Sequence, residues 1–88
     1  MNEFFCRVCG YESNTPFWQY LDSKYYPSWD ICPCCGCEAG LNDETLEDVY
    51  IYRKYWVSNL NGLFQNKGLK PDGWLLSEQL NKIPIEWR

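Results

Sequence analysis

"ICPCCGCEAG", residues 31–40, sets four cysteines within six positions (Cys32, Cys34, Cys35 and Cys37), and "CRVCG", residues 6–10, adds two more. A tetrahedral metal site takes four sulfurs, so the later stretch either fills a site alone or supplies half of one. The two segments share a grammar: Cys6-Arg7-Val8-Cys9-Gly10 and Cys32-Pro33-Cys34-Cys35-Gly36 both read C-x-x-C-G. Two intervening residues in a tight turn bring both sulfurs to one ion, at about 2.3 Å each for zinc. The glycine permits a backbone conformation that most residues resist, which aims backbone N–H groups at the thiolates. Pro33 stiffens the second turn. Adjacent residues such as Cys34 and Cys35 point apart and do not readily occupy two corners of one tetrahedron. Cys6, Cys9, Cys32 and Cys35 are therefore the expected ligands of a structural four-cysteine site, with 22 residues between the two pairs.

Cys34 and Cys37 are then left over. As small, weakly polar side chains they suit packing positions. The functional alternative is a redox-sensitive or metal-exchanging thiol at Cys34, although an anionic thiolate cluster nearby opposes ionisation there.

Compartment bears on the same question. The chain begins "MNEFFCRVCG", without a basic start, an apolar run of signal length or a cleavage pattern. No stretch approaches the roughly 20 apolar residues that span a bilayer. A cytoplasmic protein is expected, in which close cysteine pairs hold metals more often than they form disulfides.

Eighty-eight residues suit a single domain, 1–88, whose apolar burial alone gives marginal stability. A metal offsets that, as do large rings, and most of the sixteen aromatics (seven Tyr, five Trp, four Phe) are expected in the core. Net charge is −4, with five acids and no base between Glu38 and Asp48. Phosphate backbones select the opposite sign, so nucleic acid is an unfavoured partner. The acidic stretch serves solubility, a helix start, or a basic protein partner; the oligomeric state is not readable.

Residues 1–41 are rich in Cys, Gly, Pro and rings and read as short strands and turns around the cysteines, "FWQYL" being a short strand or one helical turn. Residues 42–88 form a helical half. Thr45 with Asp48 three residues on is a start signal, and Leu46, Val49, Trp56 and Leu60 mark one apolar stripe. The spacing predicts a helix over 45–59, with acids in its first turn, Arg53 and Lys54 later as the dipole favours, and Gly62 as terminator. "WLLSEQLNKI" predicts a shorter helix ending before Pro84, with Trp74, Leu76, Leu80 and Ile83 on its buried face. The fold class is a small α+β metal-bound domain.

These pieces resemble known proteins at two levels. "FFCRVCGY" and "SWDICPCCG" are similar to the two metal knuckles of rubredoxin-like and zinc-ribbon domains. More closely, "CRVCGYES", "PSWDICPCCGCEAGLND", "YRKYW", "PDGW" and "EQL" resemble a family of small, mostly uncharacterised bacterial cysteine-rich proteins of the CPCC type, over roughly residues 6–80. The resemblance implies a rubredoxin-like zinc ribbon followed by two C-terminal helices, carries ligand roles onto Cys6, Cys9, Cys32 and Cys35, and brings no established activity. The chain departs from that family at Cys37, where an aromatic is usual.

Zinc has no redox chemistry, and a closed four-thiolate site offers no open position. The leading expectation is a structural zinc site that supports a protein-interaction surface, formed by Glu38–Asp48 beside Tyr50 or Tyr52. A rubredoxin-like iron electron carrier is the alternative, since four thiolates accept either metal. A nucleic-acid-binding zinc ribbon ranks lower on charge. An enzyme is not expected: the chain has no His, which removes the usual general base and Cys-His or Ser-His pairs, and no phosphate-binding glycine loop.

Overall fold

The computed structural model describes all 88 residues, Met1–Arg88. Between the two cysteine motifs the chain makes one antiparallel hairpin, β1 (Trp18–Leu21) and β2 (Lys24–Pro27), in register Trp18–Pro27 through Leu21–Lys24. Its turn residues Asp22 and Ser23 sit at φ 52° and 66°, the paired left-handed conformation that two-residue hairpin loops need to match strand twist. Pro27, which has no N–H to donate, ends β2. "FWQYL" is thus resolved as strand. The N-terminal residues run along β1, with the Glu3 amide donating to the Trp18 carbonyl (2.8 Å) and the Phe17 amide to the Glu3 carbonyl (2.8 Å).

The helical half follows. Helix α1 spans Leu46–Asn59, and the Thr45 hydroxyl accepts from the Asp48 amide at 3.1 Å. At its other end Asn61 and Gly62 adopt φ 54° and 63°, and the Gly62 amide closes on the Trp56 carbonyl at 2.9 Å. A side chain at Gly62 would run into Leu76, 2.5 Å away, so the glycine both ends the helix and admits the next element. Helix α2 covers only Leu76–Leu80, shorter than its sequence window, and two 3-10 turns lie at Lys67–Leu69 and Ile85–Trp87. No helix is long and apolar enough to cross a membrane.

The core centres on sulfur. All six cysteines are buried, and around them pack Val8, Phe17, Trp18, Ala39, Val49, Trp56 and Phe64. The predicted stripe of α1 is narrower than expected: Val49 and Trp56 are buried, Leu60 is half-buried, and Leu46 is exposed. Ile83 is buried as expected, whereas Trp74, Leu76 and Leu80 are half-buried against the core. The expectation for the aromatics fails. Only Phe17, Trp18, Trp56 and Phe64 are buried among the rings, and eight are exposed, including Phe4, Phe5, Tyr25 and Trp29. The reason is geometric: a core already filled by six cysteines in so short a chain leaves little interior volume for rings, and their surplus area stays outside.

Candidate metal centre

The two C-x-x-C-G segments fold as twins. In each, the glycine amide donates to the carbonyl of the first cysteine: Gly10 to Cys6 at 2.8 Å and Gly36 to Cys32 at 2.9 Å. In each, the amide of that cysteine donates to the carbonyl just past the glycine: Cys6 to Tyr11 at 2.9 Å and Cys32 to Cys37 at 2.8 Å. The glycines have φ +79° and +80°, a region that costs an L-residue about 1–2 kcal/mol. One isolated antiparallel bridge closes each knuckle, Phe5 with Glu12 and Ile31 with Glu38. Residues 5–12 and 31–38 are therefore two copies of one knuckle.

Facing each other, the twins bring the Sγ atoms of Cys6, Cys9, Cys32 and Cys35 within 4.8 Å of one another, all fully enclosed. Cys6 to Cys35 and Cys9 to Cys32 are each 3.6 Å, far beyond a disulfide bond. A tetrahedron with metal–sulfur bonds near 2.3 Å has edges of about 3.8 Å, so the two 3.6 Å pairs already match it and the wider pairs, within 4.8 Å, close by about 1 Å at most around a four-coordinate ion. These four cysteines can hold a metal ion. Burial raises the thiols of Cys9, Cys32 and Cys35 above their ordinary range. Burial pushes Cys6 the same way, but hydrogen bonds from Cys32, Cys35, Cys37 and Cys9 outweigh it and hold Cys6 well below that range.

Neither remaining cysteine joins this set, although both are buried in the same core. The twin relation explains Cys34: its counterpart in the first knuckle is Val8, and both are fully buried. Cys34 fills a small apolar slot. Cys37 takes the place that Tyr11 holds in the first knuckle, where the ring packs edge-on to Phe64 at 6.0 Å.

The helical half grips the knuckles by their carbonyl oxygens. Arg53 donates through Nε to Val8 (2.7 Å) and through one terminal nitrogen to Arg7 (2.8 Å) and Trp87 (2.6 Å). The Gln79 amide, itself buried, donates to Cys9 at 3.0 Å while its oxygen accepts from the Trp74 indole at 3.0 Å. Tyr52 donates its hydroxyl to Cys35 at 3.0 Å, and the amides of Gln65 and Asn66 donate to Cys34 (2.9 Å) and Pro33 (2.8 Å). Each such bond polarises the peptide unit it ends on. Spacing alone did not find these residues. Arg53 reads as a helix-dipole charge in the sequence, but it is a three-carbonyl clasp.

A second clasp holds the entry to the first knuckle. The buried Arg7 guanidinium lies between the rings of Trp18 (3.9 Å) and Trp87 (4.1 Å). It forks onto Glu3 at 2.7 and 2.9 Å and donates to the Asp43 carbonyl at 2.9 Å. Asp43 counts among the solvated acids in the sequence reading, and the structure corrects this: it is 2% exposed and accepts from the Trp18 indole (3.0 Å) and the Gly40 amide (2.8 Å). Burial raises its carboxyl pKa, which those two donors partly counter. Tyr52 is half-buried for the same kind of reason, its hydroxyl facing inward, while Tyr50 remains exposed. Glu44 and Glu47 are exposed, and Glu38 and Asp48 half-buried.

No protein-family model and no solved structure matches the chain. Two curated proteins do. The chain is 31% identical to uncharacterized protein YozI of Bacillus subtilis (strain 168), the match covering 61% of this chain and 56% of that protein. It is 30% identical to uncharacterized protein YoaQ of the same organism, over 61% of this chain and 57% of that protein. The chain thus spans a little over half the length of the curated relatives it matches, and neither relative's name states an activity.

Proposed function

We propose that this chain is a structural zinc domain, rubredoxin-like in its knuckle half, whose metal holds together a surface for a protein partner. The observation that carries the reading is the closure of the sulfur cluster: four donors, all buried. Such a site leaves no position for substrate, and zinc is the common occupant of closed four-thiolate sites. Metal binding of this kind contributes on the order of 10 kcal/mol to folding, which suits a chain whose rings lie largely outside.

The partner surface in this reading is the start of α1 with the loop before it. Glu44 and Glu47 stand exposed there beside Leu41, Leu46 and Tyr50, an acidic and apolar mixture suited to a basic protein in the cytoplasm. Metal analysis with thiol counting on protein from its native source tests the first part: one zinc per chain, and six reactive thiols once the chain is denatured with chelator, are expected. Red, iron-loaded protein would instead assign the chain to electron transfer. Pull-down with metal-loaded bait, compared with a Glu44→Lys/Glu47→Lys variant, tests the second. A partner retained equally by both removes this surface from the reading.

A further inference from the structure

A second feature lies at the entry to the first knuckle. Between the residues that lead into the first knuckle, strand β2 and the last 3-10 turn is a cavity of about 410 Å3, within the range of ligand-binding sites. Four rings line it, Phe4, Phe5, Tyr25 and Trp87, together with the carboxylates of Glu3 and Glu86 and with Met1, whose amino group is the one cation in the lining. Both oxygens of Glu3 are already taken up by Arg7. Glu86 has no ion-pair partner, so its carboxylate is free to accept hydrogen bonds beside the four rings. Ring faces attract cations, guanidinium above all, and the attraction grows as water is excluded. The neighbourhood already shows that chemistry, since Trp18 and Trp87 hold the Arg7 guanidinium between them at about 4 Å.

We propose that this cavity is a recognition pocket for an arginine side chain of a partner protein, with the rings stacking on the guanidinium and Glu86 accepting its hydrogen bonds. A peptide source fits better than a free cation because the apolar surface continues past the pocket: Ile85, adjacent in the chain to lining residues, is 81% exposed, and it suits the residues flanking an arginine. Net charge of −4 also favours a basic partner. The pocket goes beyond the acidic surface proposed above and does not depend on it.

The test uses the full metal-loaded chain, labelled with nitrogen-15, titrated with the peptide acetyl-Leu-Arg-Leu-amide. Saturable shifts of the Trp87 indole and of the Phe4, Phe5 and Tyr25 amides are expected. The citrulline analogue, equal in shape and lacking charge, is expected to bind at least tenfold more weakly. Glu86→Gln is expected to weaken arginine binding three- to tenfold, and Glu78→Gln, exposed on α2, to leave it unchanged. Absence of saturable shifts, equal binding of citrulline, or shifts centred on residues 44–48 would each overturn the proposal. Ethylguanidinium binding as tightly as the peptide would assign the pocket to a small free cation and overturn the peptide assignment.

Discussion

Gly10 and Gly36 occupy the same place in twin knuckles, at φ +79° and +80°, yet alanine is expected to cost far more at the first. Both variants incur the left-handed penalty of about 1–2 kcal/mol. At Gly36 the added methyl meets only the Gln65 side chain, at 3.2–3.3 Å, which a surface rotamer change relieves. At Gly10 it meets main chain: the Ile83 nitrogen and Lys82 carbonyl carbon at 2.5 Å and the Lys82 oxygen at 2.8 Å. Backbone cannot rotate away, so the segment around Ile83 must lift from the knuckle. Exposing the Ile83 side chain, now 4% exposed, forfeits about 1.5–3 kcal/mol. Gly36→Ala is thus expected to lose about 1–2 kcal/mol and Gly10→Ala about 3–5 kcal/mol. Urea unfolding at a fixed free zinc concentration, followed by tryptophan fluorescence, measures both against the parent chain. Costs equal to within about 0.5 kcal/mol, or a larger cost at Gly36, would refute the idea that the last segment is docked onto the first knuckle through a glycine.

Three further outcomes follow from the centre. Cys34→Val is expected to keep one metal per chain, because Val8 fills the matching slot, whereas Cys35→Ser is expected to lose most of the metal affinity; equal retention by both would sink the ligand assignment, as read by competition with a chromogenic chelator. Arg53→Lys keeps the charge but not the fork that spans three carbonyls, and a loss of about 2 kcal/mol is expected in the same urea assay; a change below about 0.5 kcal/mol would remove the clasp from the account. Zinc binding near pH 7 is expected to release protons, because burial holds the thiols of Cys9, Cys32 and Cys35 above their ordinary range until metal binds. Since raised thiols must lose protons before they bind, affinity is expected to fall as pH falls; calorimetry in buffers of different ionisation enthalpy counts the protons, and a release near zero would refute the protonation pattern.

Local rules carried much of this into the sequence. The C-x-x-C-G repeat places four sulfurs because its information lies within five residues, and Thr45, Asp48 and Gly62 mark α1 because caps are local. The burial of Arg7, Asp43 and Gln79 is not legible there. Each is polar, and each is buried because its donors or acceptors arrive from distant segments: Asp43 meets Trp18, and Gln79 meets Cys9. Periodicity assigns such residues to the surface by default. The short reach of α2 has a related cause, since the residues after Leu80 turn to lay Ile83 against Gly10 and do not extend the helix.

The direction of those long-range bonds would couple an ion held by the four sulfurs to the rest of the fold. Apart from the glycine contact, the helical half engages the knuckles largely as a donor to carbonyls at positions 7, 8, 9, 33, 34 and 35. Those oxygens present one surface only while both knuckles hold their wound conformation, with the glycines left-handed and the sulfurs turned inward. An ion joining the four sulfurs penalises any unwinding of either knuckle. It thereby stabilises the acceptor surface on which Arg53, Gln79 and Tyr52 converge, although it touches none of them. By linkage, whatever stabilises the helical half tightens the metal in return. Arg53→Lys should therefore weaken zinc binding as well as folding, although Arg53 contributes no ligand. The two losses should agree in free energy when the metal-free chain is unfolded, the limit seen in small zinc domains. A variant that loses stability in urea but binds zinc with unchanged affinity would show that the clasp and the metal act independently.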